Sequence, residues 1–160
     1  PCRATRLVHD ALGRSGQRAI ISLGDGDALR RMPASPNILY VDSIPHRWLF
    51  PRVAAAVHHG GAGTTAAALR AGVPSIILPI AYDQFGWSER VRQLGVGLGS
   101  RHIATATAGS LARMIRRAVE DDELRRRAAA LAEKISAERG VNAAVEIIER
   151  HASQHYDARR

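Results

Sequence analysis

Short apolar segments alternate with helical ones along the first 100 residues, and this alternation constrains the fold more than any other feature of the chain. The predicted strands are Arg18–Leu23, Asn37–Val41, Ala54–His58, Ser75–Leu78 and Val96–Leu98. The predicted helices among them are Ala4–Leu12, Thr64–Ala71 and Asp83–Leu94. Strands that alternate with helices form βαβ units, and strands that are apolar throughout are buried on both faces. The pattern therefore predicts an α/β fold with a Rossmann-like parallel sheet flanked by helices.

The length and the end of the chain indicate one domain. After Arg101 the apolar spacing is helical only, and the last predicted helix covers Asn142–Arg150. The 160 residues fit a single domain, in which residues 141–160 form a C-terminal helix and tail.

Composition excludes several classes of protein. The single cysteine, Cys2, excludes internal disulfides and a cysteine-based zinc site. No apolar run reaches the ~20 residues of a membrane helix and no signal peptide opens the chain, so the expected location is the cytoplasm and membrane association is not indicated. The net charge is +8, but it is spread over both halves and aromatic residues make up only 4%, which argues against nucleic-acid binding.

The segment 58–65, HHGGAGTT, lies between a predicted strand and a predicted helix. Glycines let backbone N–H groups approach an anion, and a helix N-terminus adds unpaired donors and a partial positive charge. A threonine hydroxyl and a neighbouring histidine can donate to phosphate oxygens. The segment predicts a diphosphate cradle; the simpler interpretation is a tight turn with Thr64 as N-cap. A metal site is not expected, because His58 and His59 are strand neighbours that point to opposite faces.

The same glycines leave a second interpretation open. Gly61 to Ala66 matches G-x-G-x-x-A, the dinucleotide-binding fingerprint, and Asp83 lies about 20 residues further along. In that fingerprint the acidic residue ends the next strand, whereas here the strand closes at Pro79 and Asp83 begins a helix. A phosphate loop of the Walker type is excluded because no lysine follows the glycines.

Asp83 and Gln84 form a second polar signal, in the loop after the fourth predicted strand. A carboxylate beside an amide can bind the vicinal hydroxyls of a sugar, although Asp83 is also a typical helix N-cap. Ligands of such folds lie beyond the carboxyl ends of the strands. We therefore expect the loops 43–46, 58–65 and 79–84 to meet around a sugar joined to a diphosphate. Outside these loops, Trp48 and Trp87 are predicted to be packing residues, and His102 to be solvated.

The stretch from Ile44 to Gly97 resembles the donor-binding half of family 1 glycosyltransferases of the GT-B fold, closest to bacterial natural-product and sterol glucosyltransferase types. The joint spacing of HHGGAGTT, GVP and DQ carries the resemblance. It implies diphosphate binding by His59, Gly61, Gly63, Thr64 and His58. It implies sugar binding by Asp83 and Gln84, and base or ribose contacts at Ser43, Ile44 and His46. The chain departs from the family at Ser43, where many members have tryptophan, at His46, where they have glutamine, and at Ala67, where plant members have glutamate.

The resemblance also implies a reaction. A hexose would pass with inversion from a UDP- or TDP-hexose, which is a substrate, to the hydroxyl of a small lipophilic, polyketide-like or sterol-like acceptor, without metal or cofactor. The general base belongs to an N-terminal acceptor domain, so no catalytic residue is assigned here and the isolated chain is expected to be an inactive part of a hexosyltransferase. The alternatives are a dinucleotide-binding Rossmann module and a non-catalytic fragment that acts through a partner chain.

The comparison with the family makes one further structural prediction. In a Rossmann-like sheet of order 3-2-1-4-5-6, Arg18–Leu23 becomes the second strand and Ala54–His58 the fourth. The first strand, which lies between them, is missing from the sequence. We expect that another polypeptide supplies it or that the two flanking strands pair directly. The apolar face of the last helix (Ala144, Val145, Ile148) is expected to lack a covering partner.

Overall fold

The computed structural model describes residues 3–23 and 34–157, with side chains of the last helix up to residue 152. The strands are β1 (Ala19–Ser22), β2 (Ile38–Val41), β3 (Ala56–His58), β4 (Ser75–Ile77) and β5 (Gly97–Gly99). The helices are α1 (Arg3–Ser15), α2 (His46–Leu49), α3 (Ala62–Arg70), α4 (Gln84–Gln93), α5 (Ala108–Glu120), α6 (Asp122–Ala137) and α7 (Gly140–Asp157). Short 3-10 turns lie at Phe50–Arg52 and Ile103–Thr105. The predicted tail after Asp157 lies outside the described residues.

All described strand pairs are parallel, which confirms the predicted α/β class, but they form two sheets. β1 pairs with β2, with Ala19 opposite Ile38. The second sheet has the order β3-β4-β5, with Ala56 opposite Ser75 and Ser75 opposite Gly97. Within the described strands, β1 does not pair with β3, so the predicted closure of the gap by direct pairing is wrong. Completion by another polypeptide stays a prediction.

One core joins the two sheets. Helices α1 and α5 pack together over it, contributing Leu7, Ala11, Leu111 and Ile115 among others. Ile76 of β4 lies at its centre, and Ala19 and Ile21 of β1 pack against the same cluster. Helix α5 begins at a capping box, in which the Thr107 hydroxyl accepts from the Ser110 N–H. Because the two sheets share this core, they form one α/β unit.

On the opposite face of the β3-β4-β5 sheet, α4 approaches β5 closely because β5 contains glycine. A Cβ at Gly97 would lie 2.5 Å from the carbonyl oxygen of Ser75 and 3.0 Å from Cγ2 of Val91. Val91 of α4 is fully buried with Ile77 and Val96. Any larger residue at Gly97 would push α4 outward. The contact therefore sets the position of α4, the helix that begins with Gln84.

The last helix, α7, is exposed along its described length. Val145 is 45% exposed and Ile148 66%, as expected for an apolar face without a covering partner. No helix in the described ranges is long and apolar enough to cross a membrane.

Candidate functional site

Two of the predicted loops meet at the carboxyl ends of β3 and β4. Gly60 has a φ of +95°, and a Cβ there would lie 2.6 Å from Cγ2 of Ile77 and 3.3 Å from the carbonyl oxygen of Gln84. The backbone of residues 58–65, which we call the glycine loop, therefore lies directly against the end of β4 and the start of α4. This approach requires glycine for both its conformation and its lack of a side chain.

The glycine loop leads into the N-terminus of α3, which carries no side-chain cap within the described residues. Gly61 is the N-cap, and the N–H of Thr65 makes the first helical bond, to the Gly61 carbonyl oxygen at 2.9 Å. The interpretation of Thr64 as N-cap is therefore wrong, since Thr64 lies within the first turn. The N–H groups before Thr65 have no helical acceptor, which is the arrangement that binds anions.

His59 is exposed and its ring lies against this helix start. A Cβ at Gly61 would lie 2.6 Å from Nε2 of His59 and 3.2 Å from Cε1. The His59 ring and the first helical N–H groups are thus neighbours. Together they can surround the oxygens of a diphosphate.

His58 has a different environment from His59. Its Nδ1 accepts a hydrogen bond from the Gly60 N–H at 3.1 Å, so in the neutral ring the proton is on Nε2. That Nε2 is buried without a partner among the described residues. Burial, followed by the charges of His59 and His46, lowers the pKa of His58 to about 4. His58 is therefore neutral at pH 7 and shapes the turn at Gly60.

Asp83 and Gln84 are held by their own loop and helix. The Oε1 atom of Gln84 accepts from the N–H groups of Ile80 at 2.8 Å and Ala81 at 3.1 Å. Oδ2 of Asp83 accepts from Nε1 of Trp87 at 3.0 Å. Within the described chain the Asp83 side chain does not cap α4, so its interpretation as a side-chain N-cap is wrong. Its exposed carboxylate faces solvent in a position fixed by Trp87.

The third loop lies beside the glycine loop. Ser43 is exposed, and Ile44 packs against the cluster of Leu49 and Phe50. The His46 ring stacks on Phe50, with centroids 4.6 Å apart and planes 8° from parallel. Leu49 of α2 lies in the same cluster as Ala68 of α3, so loop 43–46 lies near the helix that the glycine loop begins.

Two residues outside the predicted set support the site. Nδ1 of His102 accepts from the Ala104 N–H at 2.8 Å, so its Nε2 is a donor and lies 3.2 Å from the carbonyl oxygen of Ile80. The expectation of a solvated His102 is therefore wrong. Trp87 packs against the cluster of Ile77 and Val91, as predicted, and also binds Asp83. No sequence motif marks either contact.

Two further expectations from the sequence concern Trp48 and a metal site. Trp48 is 53% exposed, with the Arg52 guanidinium 4.6 Å from its ring centroid, so its prediction as a packing residue is wrong. In the described ranges, no group of three or more His, Cys, Asp or Glu could hold a metal ion.

Comparisons with known proteins identify the family of this chain. Residues 6–150 match the family described as erythromycin biosynthesis protein CIII-like, C-terminal domain. The sterol 3-beta-glucosyltransferase of Cryptococcus neoformans var. neoformans serotype D (strain JEC21) is 40% identical over 163 residues, which cover 94% of this chain and 10% of that protein.

Solved glycosyltransferases share the fold. The glycosyltransferase of kitacinnamycin has a TM-score of 0.80 and 25% identity, covering 90% of this chain and 38% of the other. Glycosyltransferase VinC, solved in complex with DTDP, has a TM-score of 0.83 and 24% identity, covering 94% and 40%. The chain thus spans about a tenth of the curated relative and two fifths of these solved chains.

The family match spans most of the chain, and the parallel sheets and helices superpose on one half of GT-B enzymes. The chain belongs to the erythromycin biosynthesis protein CIII-like C-terminal domains, the donor-binding domains of family 1 glycosyltransferases.

Proposed function

We propose that this chain binds a UDP- or TDP-hexose as the donor half of an inverting glycosyltransferase. The carrying observation is that the uncapped start of α3, with His59 beside it, lies next to Asp83 and Gln84 across the Gly60 contact. An anion site at α3 and a hydroxyl-binding pair at Asp83 and Gln84 would then be neighbours, as the diphosphate and the hexose of a nucleotide sugar require. The names of the relatives, a sterol glucosyltransferase and an enzyme crystallised with DTDP, support the same ligand class.

In the proposed mechanism, Gly61, Gly63 and Thr64 donate N–H groups, and His59 an imidazole N–H, to the diphosphate. The carboxylate of Asp83 accepts from sugar hydroxyls and the amide of Gln84 donates to them. Ser43, Ile44 and His46 line the side of the base and ribose, and His58 supports the loop. Donors that are fixed before the reaction stabilise the charge that develops on the leaving diphosphate without requiring a metal or a cofactor.

The reaction itself joins the acceptor oxygen to the anomeric carbon while the bond from that carbon to the diphosphate oxygen breaks. The hydroxyl proton passes to a general base that the resemblance places in an N-terminal acceptor domain. The proposed acceptors are small lipophilic alcohols of the sterol or polyketide kind, as the names of the relatives suggest. The proposed location is the cytoplasm.

Titration calorimetry with UDP and TDP tests the donor site. Replacement of His59 by alanine removes a hydrogen bond to an anion, so we expect affinity to fall by about 1–3 kcal/mol. His151→Ala, which removes an exposed histidine of α7, is the matched control and should bind like the wild type. Equal affinity of wild type and His59→Ala would remove His59 from the site.

A thermal-shift comparison separates the donor function from the dinucleotide-binding alternative. UDP-glucose should raise the melting temperature, whereas NAD at the same concentration should not, because a ligand stabilises only the fold that binds it. Asp83 follows the end of β4 at Ile77 by several residues, which does not match the acidic residue of a dinucleotide site. Protection by NAD alone would favour the alternative.

A further inference from the structure

Asp83 stands at the start of helix α4 but does not cap it. Its backbone has a φ of −66° and a ψ of −13°, in the helical region, and its side chain makes no capping bond within the described residues. An aspartate that caps a helix has extended backbone angles and accepts from N–H groups of the first turn. The Asp83 carboxylate therefore forgoes the bond that its place in the sequence favours.

Trp87, one turn further along α4, holds this carboxylate instead. Its Nε1–H donates to Oδ2 of Asp83 at 3.0 Å, and its backbone N–H donates to the Asp83 carbonyl oxygen, also at 3.0 Å. No other side chain in the described ranges donates a hydrogen bond to the carboxylate. Because a carboxylate has two acceptor oxygens, Oδ1 is left to accept from a ligand.

The indole of Trp87 is anchored by packing. The residue is half-buried and lies against the cluster of Ile77, Val91 and Val96, which are fully or almost fully buried. A tryptophan ring can be packed in this way while its N–H reaches a polar partner. The bond from an anchored ring restricts the rotamers of an exposed aspartate, which would otherwise exchange in solvent. The carboxylate is therefore oriented before a ligand binds, which lowers the ordering cost of binding.

Gln84, the other member of the pair, is held by different groups. Its Oε1 accepts from the N–H groups of Ile80 and Ala81, and neither bond involves Trp87. Loss of the indole N–H would therefore free the Asp83 side chain and leave the bonds of Gln84 in place.

We propose that Trp87 is a positioning residue for the donor sugar, whose indole N–H orients the Asp83 carboxylate towards a hexose hydroxyl. The inference rests on the proposed donor function of the same site, in which Asp83 accepts from the sugar. Trp87 acts through Asp83 rather than through contact with the ligand. Its ring N–H therefore affects affinity for a nucleotide sugar and leaves affinity for the nucleoside diphosphate unchanged.

Trp87→Phe tests this assignment, because it keeps an aromatic ring in the cluster and removes the N–H. Titration calorimetry should show affinity for UDP-glucose about 3–10-fold weaker than that of the wild type, with affinity for UDP within about twofold. In an Asp83→Ala background the same substitution should have no further effect on UDP-glucose, because the acceptor of the bond is absent. Trp48→Phe, which changes the exposed tryptophan of α2, is the matched control and should bind both ligands like the wild type.

The indole N–H signals of the wild type give a second measurement, which does not depend on the folding of a Trp87 variant. The chain holds two tryptophans, so its heteronuclear NMR spectrum has two indole signals, and Trp48→Phe assigns them. UDP-glucose should shift the Trp87 signal, because the carboxylate that accepts from the indole would also accept from the sugar. UDP alone should leave that signal in place.

The outcomes distinguish the positioning role from the donor function. A loss confined to UDP-glucose and absent in the Asp83→Ala background, together with the shifted indole signal, supports the proposal. Equal affinity of wild type and Trp87→Phe for UDP-glucose would overturn it, and so would a Trp87 signal that UDP-glucose does not move. An equal loss for both ligands, or a loss that persists in the Asp83→Ala background, would give Trp87 a structural role only. Absence of UDP binding to the wild type would overturn the donor function on which the proposal rests.

Discussion

Gly60 and Gln84 meet backbone to backbone: the position of a Cβ on Gly60 is 3.3 Å from the carbonyl oxygen of Gln84. This contact joins the loop that follows β3 to the helix that follows β4. It is the structural reason that the start of α3 and the pair Asp83 and Gln84 lie side by side, as the proposed donor site requires.

The contact predicts that Gly60→Ala is destabilising. The added Cβ would collide with Ile77 and would occupy a positive φ, so we expect the free energy of unfolding to fall by about 2 kcal/mol or more. Gly86→Ala is the matched control, because nothing lies within 4 Å of its Cβ position in α4. That substitution should be neutral or stabilise by up to about 1 kcal/mol. Urea unfolding measures both; equal stability of the two variants would contradict the packing described for Gly60.

In the proposed site the glycine loop binds the diphosphate, and Asp83 and Gln84 bind the sugar. This assignment predicts that Asp83→Asn weakens binding of UDP-glucose more than binding of UDP. The asparagine can still accept from Trp87 but loses the charge that strengthens bonds to sugar hydroxyls. We expect affinity for UDP-glucose to fall about tenfold, with affinity for UDP within twofold of the wild type. Calorimetry with both ligands checks this. Equal losses for the two ligands would move Asp83 away from the sugar and towards the diphosphate.

The buried ring of His58 predicts a loss of stability in mild acid. Its pKa is lowered from 6.5 to about 4 in the folded chain. Between pH 4 and pH 6.5, His58 therefore binds a proton more readily in the unfolded chain than in the folded one. The contribution of neutral His58 to the free energy of unfolding is complete above pH 6.5. It is lost as the pH falls towards 4, by about 2–3 kcal/mol in total.

His58→Asn offers the control for this pH effect, because its side-chain oxygen can still accept from the Gly60 N–H without titrating. The difference between the unfolding free energies of wild type and variant should change between pH 6.5 and 4 and be constant above that window. A difference independent of pH would show that His58 takes up its proton in the folded chain as readily as in the unfolded one.

The 160-residue chain is expected to transfer no sugar when purified alone, even with a correct donor. The reason is that the general base is assigned to a domain outside this sequence. Incubation with radiolabelled UDP-glucose and a sterol alcohol, followed by extraction of the product, measures this. Formation of any glycoside above the protein-free control would place a general base within the chain.

Local sequence determined much of the fold. The spacing of apolar residues predicted each described strand to within a few residues, and it predicted α3 and α4, because periodicity and burial are properties of neighbouring residues. The glycine loop was also predicted from the sequence, because glycines permit a backbone conformation and a close approach that other residues would prevent. The resemblance then joined these segments to a glycosyltransferase donor domain, in agreement with the family match.

Tertiary structure decided how those segments act together. The N-cap is Gly61 rather than Thr64, His102 reaches Ile80 across 22 positions, and Tyr82 adopts a conformation that its residue type disfavours. The sheet divides between β1 and β3, where the family comparison predicts a missing strand, and within the described strands no direct pairing closes this gap. Each of these outcomes depends on contacts between distant residues, whose energies outweigh local preference and leave no periodic pattern in the sequence.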